Sequence, residues 1–230
     1  MRDLNATLDQ STIEHLQCKL PLLGATLTST DDANLRHYLS FYQLPQPNNS
    51  LALYAGRITV GENHIATMTW QPTNSIGTAI VVHGYMDHIG LFNHLIQDLL
   101  NRQFTVVCFD LPGHGLSTGR PGYILDYADY VSVLESVINI SRKKFPGPLH
   151  GVGQSMGGAI LLKCAALSGF AYLNGPSILH IPLCWLVSLA CSFSLLSSLF
   201  LASSSTATAI FCILLKSSIY FPLLFLNQVT

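Results

Sequence analysis

Acidic residues are missing from the last 95 positions of this 230-residue sequence, since all twelve lie between Asp3 and Glu135. Beyond Lys163 the only charge is Lys216. Charged residues make up 10% of the chain, where an ordinary soluble domain carries roughly a quarter, so the two parts of the chain need separate readings. With eleven Lys and Arg and a formal net charge of -1, no basic face is available to hold phosphate backbones, and nucleic acid is not expected as a partner. The six cysteines (Cys18, Cys108, Cys164, Cys184, Cys191, Cys212) form no C-x-x-C pair and no regular spacing. That favours free thiols in a reducing compartment over a disulfide framework. The N-terminus stays polar through Glu14, without the apolar run of a secretory signal, so no cleaved leader is expected. The cytoplasm is the expected compartment for the part that reads as folded.

What is present divides into three stretches. Residues 1–50 read as a polar leader with a short helix around Asn34 to Tyr42, ended by Pro45 and Pro47. Residues 51–172 read as an α/β domain. LALYAGRITV and HIATMTW are strand-like runs around Gly61-Glu62-Asn63, which has hairpin chemistry. TAIVVH (78–83), FTVVCFD (104–110) and a run from about Leu149 into Gly153 are short, apolar and rich in β-branched residues, as strands buried on both faces of a parallel sheet are. Helical patterns over Leu91 to Asn101, Tyr123 to Lys144 and Met156 to Leu167 alternate with them, which predicts a right-handed βαβ array. Residues 173–230 are an apolar, helical tail, with 22 uncharged residues from Ile181 to Ala202.

The chemistry centres on Gly153-Gln154-Ser155-Met156-Gly157. This is G-x-S-x-G between a strand and a helix, the context in which a sharp turn exposes a serine nucleophile. Ser155 is the expected nucleophile. Gly153 and Gly157 are expected because a side chain two residues to either side of it would strike neighbouring backbone. The helix that starts at Met156 aims its free N–H groups and positive dipole end at an oxygen that becomes negative during acyl transfer. His83-Gly84-Tyr85 closes the first parallel strand, where a second donor is needed. The N–H groups of Tyr85 and Met156 are the expected oxyanion hole, with His83 and Gly84 supporting that loop.

HGYMDH (83–88), FDLPGHGLSTG (109–119) and GVGQSMGG (151–158), in this order and spacing, resemble the monoacylglycerol lipase, lysophospholipase and serine aminopeptidase group of α/β-hydrolases. Gln154 stands where that group often has histidine. The resemblance implies the N-terminal half of an α/β-hydrolase fold, a mainly parallel sheet with flanking helices. It also implies hydrolysis of a small-molecule acyl ester or lysophospholipid through an acyl-serine, with no metal and no organic cofactor.

Asp110 and His114 precede Ser155, whereas this fold orders its triad as serine, acid, histidine, so they are expected to fix a turn by local hydrogen bonds. His88 is read as structural too, and Arg142-Lys143-Lys144 as a solvated helix C-terminus. After Ser155 there is no acid, and His180 follows too soon for the triad histidine. No triad acid or histidine is found, which implies impaired hydrolysis. The alternative is a non-catalytic, membrane-attached remnant or binding module. Three origins for the tail stay open: a frameshift or truncation near Tyr172, a membrane span giving membrane contact through 181–226, or a buried piece of the domain.

Overall fold

The computed structural model describes residues 8–23, 32–124, 126–168 and 178–180, the last three as backbone only. Strands β1 (Leu51–Val60) and β2 (Asn63–Pro72) form the expected antiparallel hairpin, turned by Gly61 at φ +58°. Asn63, read as part of the turn, already pairs with Val60 in the ladder. A two-residue loop matches the strand twist, and glycine adopts the positive φ it needs without cost from a side chain.

Then follow β3 (Gly77–Val82), a 3-10 turn at Ile89–Phe92, α3 (Asn93–Asn101), β4 (Phe104–Phe109), α4 (Tyr127–Lys144), β5 (Leu149–Gln154), α5 (Met156–Ser168) and β6 (Ile178–His180). Among the described residues these strands build one six-stranded sheet in the order β1-β2-β4-β3-β5-β6, in which β3 to β6 run parallel. The fold is an α/β-hydrolase sheet with helices on both faces. α4 starts later than Tyr123 because the Asp126 carboxylate caps it, accepting from the Ala128 amide. Leu125, read as part of its apolar stripe, lies outside the described residues.

The period-two alternation of the strands sorts side chains into two cores. Ala79 and Val81 of β3 and Val106 and Cys108 of β4 face one cluster, with Ile96 and Leu99 of α3. Ile80, Val82, Val107 and Phe109 face the other, with Leu134 and Ile138 of α4 and Ile160 of α5. The segment read as a leader carries two helices, α1 (Gln10–Lys19) and α2 (Ala33–Phe41). Their Leu16, Leu35, Tyr38 and Leu39 are buried in the first core against Met68 and Trp70, and the Trp70 indole donates to Pro45 O at 2.9 Å. β6 falls within the stretch read as tail and pairs with β5, Gln154 opposite His180. Ile181 to Ala202 lies outside the described residues. Among the described residues no helix is long and apolar enough to cross a membrane.

This topology positions the site. From β3 the chain turns toward β4 through α3, whereas from β5 it turns the other way through α5, and right-handed crossovers put those helices on opposite faces. The carboxyl ends of β3 and β5 therefore mark the switch point, the place where open α/β sheets bind ligands.

Candidate active site

Ser155 stands at that switch point. It links β5 directly to α5 and holds φ +51°, a left-handed conformation that costs a non-glycine residue on the order of 1–3 kcal/mol. Two glycines allow the turn. A Cβ on Gly157 would meet Val82 O and, at 2.6 Å, His83 O, while one on Gly153 would meet Gly158 N at 2.6 Å. The elbow is thus pressed against the end of β3.

From the β3 side Gly84 closes on the serine. A Cβ there would lie 3.5 Å from both Ser155 Cβ and Gln154 O. The loop His83–Tyr85 and the elbow are in contact through backbone, the approach needed for two amides to converge on one oxygen. Among the described residues the amides of Tyr85 and Met156 have no hydrogen-bond acceptor. The Tyr85 ring stands 57% exposed and its hydroxyl donates to Gly122 O at 3.0 Å. Met156 opens α5, and its carbonyl accepts from the Tyr127 hydroxyl at 3.3 Å.

His83 is 2% exposed. The Leu111 amide donates to its Nε2 at 2.9 Å, which leaves Nδ1 to carry the proton and donate to Gly84 O at 2.7 Å. Burial pushes its pKa down to about 3, with the bond to Gly84 opposing, so the ring stays neutral. Both nitrogens are engaged, and His83 is unsuited to act as a base.

Asp110 does more than shape its own turn. Its carboxylate accepts from Leu116 N at 2.8 Å, a local bond, and from Ile89 N at 2.7 Å, across to the segment after β3. It ties the two loops together below the site. Burial pushes its carboxyl up to about 7, against those two amides, which favour the charge. The long bond escaped the sequence reading because Ile89 precedes Asp110 by 21 positions. His114 donates from Nδ1 to Pro112 O at 2.9 Å, and among the described residues its buried Nε2 has no partner. His88 accepts from Gly90 N at 3.2 Å and packs on Tyr42, and burial lowers its pKa against the pull of Asp87. Neither imidazole touches Ser155 through any bond described. His180 lies in register with the residue before Ser155. Among the described residues no group of three or more His, Cys, Asp or Glu could hold a metal ion.

A serine at positive φ in a strand–turn–helix elbow, faced by a glycine loop, now stands beside a family match. The model of the serine aminopeptidase, S33, family matches residues 73–198, more than half of the chain. The chain belongs to the serine aminopeptidase S33 family. The S33 match takes in all three motifs and ends inside the apolar stretch.

Among curated S33-like relatives, the monoacylglycerol lipase of Mycolicibacterium smegmatis is 30% identical over 125 residues, covering 52% of this chain and 45% of that protein. The monoglyceride lipase of Homo sapiens is 33% identical, covering 42% and 33%. Phospholipase YtpA of Bacillus subtilis is 28% identical, covering 41% and 36%. The match spans less than half the length of each. Among solved structures, Est1E from Butyrivibrio proteoclasticus, with ferulic acid bound, is similar at a TM-score of 0.45 and 20% identity, covering 50% of this chain and 48% of that one.

Proposed function

We propose that this chain is a serine hydrolase of small-molecule carboxylic esters, of the monoacylglycerol lipase and lysophospholipase type, working through an acyl-serine on Ser155. The observation that carries it is the elbow: Ser155 held at φ +51° at the switch point, with Gly84 of the facing loop closing on its Cβ. In the reaction the Ser155 hydroxyl oxygen adds to the ester carbonyl carbon. The carbonyl oxygen gains the charge and is met by the N–H groups of Tyr85 and Met156, the latter backed by the dipole of α5. Collapse expels the alcohol and leaves the acyl group on Ser155, and water releases the acid. The substrate class is taken from the relatives named monoacylglycerol, monoglyceride and phospholipase enzymes.

The proton of Ser155 must go to a base oriented by an acid. The 230 residues hold no Asp or Glu after Glu135, so this chain presents a nucleophile and its hole without the relay, and its turnover is impaired. We assign the hydrolase half, read from the sequence as 51–172, to extend through β6 to 180, and treat 181–226 as its membrane-contacting segment.

A fluorophosphonate probe tests the reading. Covalent labelling of the 230-residue chain at Ser155, absent in Ser155→Ala, is the expected result. Labelling equal in both would overturn the nucleophile and leave a non-catalytic, membrane-attached remnant or binding module.

A further inference from the structure

We propose that His83 is a positioning residue that aims the Tyr85 N–H at the reacting oxygen by holding the carbonyl on the other side of the same peptide bond. The proposal rests on the hydrolase reading above and names the device that prepares its oxyanion donor. A peptide unit is planar and trans, so the Gly84 carbonyl and the Tyr85 N–H point in opposite directions and turn together. Whatever grips the carbonyl sets the amide.

The grip is specific. Gly84 O accepts from His83 Nδ1 at 2.7 Å, with Asp87 N a longer second donor at 3.3 Å. The donor nitrogen is chosen from a distance. Leu111 N can only donate, and it meets Nε2 at 2.9 Å, so the proton of the neutral ring must sit on Nδ1. The opposite tautomer would set two donors against each other at Leu111 and two lone pairs against each other at Gly84. Leu111 follows Asp110, whose carboxylate also holds Ile89 N beyond the same loop. The segment after β4 therefore dictates, through one imidazole, which way the loop after β3 presents its amide.

Two amide substitutions separate positioning from packing. Asparagine places its amide nitrogen near the Nδ1 position and keeps a donor for Gly84 O. Glutamine reaches the Nε2 position and keeps an acceptor for Leu111 N. His83→Asn should label with the fluorophosphonate within about threefold of the native chain. His83→Gln should fall by about ten- to a hundredfold, short of the roughly 10²–10³ that removing an oxyanion donor outright costs. Equal rates in the two variants would overturn the proposal.

Because either variant of so buried a residue can misfold, ¹⁵N NMR of the native imidazole supplies an independent test. The expected result is a proton on Nδ1 and a bare Nε2 throughout pH 5 to 8. A proton on Nε2 would overturn the proposal. Should the native chain label no faster than Ser155→Ala, the hydrolase reading fails, while the ring tautomer still judges His83.

Discussion

A buried carboxylate with two amide donors and, among the described residues, no ion-pair partner is unusual for one side chain. Asp110 holds Ile89 N and Leu116 N, one in the segment after β3 and one in the segment after β4. Asp110→Asn would leave one of those amides facing an NH₂ group, and an unpaired buried donor costs about 1–3 kcal/mol. Urea denaturation at about pH 4, where the cost of ionising the native Asp110 is absent, should show that loss. The native residue also imposes a pH dependence. Its folded-state pKa, about 7, lies above the ordinary 3.8. Between these values the unfolded chain has released the proton that the folded chain retains, so stability falls as pH rises from about 4 to 7 and is then level. The fall amounts to on the order of 4 kcal/mol. In Asp110→Asn this component of the slope should be gone; an unchanged slope in urea titrations across that range would remove the assignment.

At the level of elements, the contact between the start of α5 and the end of β3 decides whether the serine is presented at all. Gly157 faces Val82 O and His83 O, backbone atoms that cannot swing aside as a flexible side chain could. Gly157→Ala should therefore cost about 1–3 kcal/mol by overpacking and abolish fluorophosphonate labelling, since α5 can make room only by leaving β3. Chemical denaturation and labelling read the two effects separately. Gly61→Ala, at φ +58° with open space around its Cβ, should cost stability through backbone strain alone and leave labelling intact. The same elements show where pattern was readable. β3, β4 and β5 announced themselves because strands covered on both faces are short continuous apolar runs. α1 did not, because its apolar positions are few among polar ones, and what holds it is tertiary burial of Leu16 rather than a stripe.

For the molecule as a whole, α1, α2 and the sheet share a core. Leu39 is 1% exposed among residues that include Trp70, so Leu39→Ala should cost about 2–5 kcal/mol, against no more than about 0.5 for a change on a solvated leader. Thermal or urea unfolding distinguishes the two. The absence of an acid after Ser155 also acts at this scale, since the relay in this fold is assembled from strands beyond the elbow. Steady-state turnover of a p-nitrophenyl ester by the 230-residue chain should lie about a million-fold below that of a complete triad. Turnover near ordinary enzyme values would mean that another group serves as base.

The sequence by itself determined the elbow and its neighbours. Glycine spacing around Ser155, the apolar runs and the order of the three motifs are local properties, set by steric exclusion and strand periodicity within a few residues. Only the tertiary structure decided which loop faces the serine, which nitrogen of His83 carries the proton and that Asp110 spans two loops. Those outcomes depend on Leu111 meeting a ring 28 positions earlier and Ile89 meeting a carboxylate 21 positions later. Bonds between residues so far apart form where strand order and crossover handedness bring loops together, and no local pattern encodes that order.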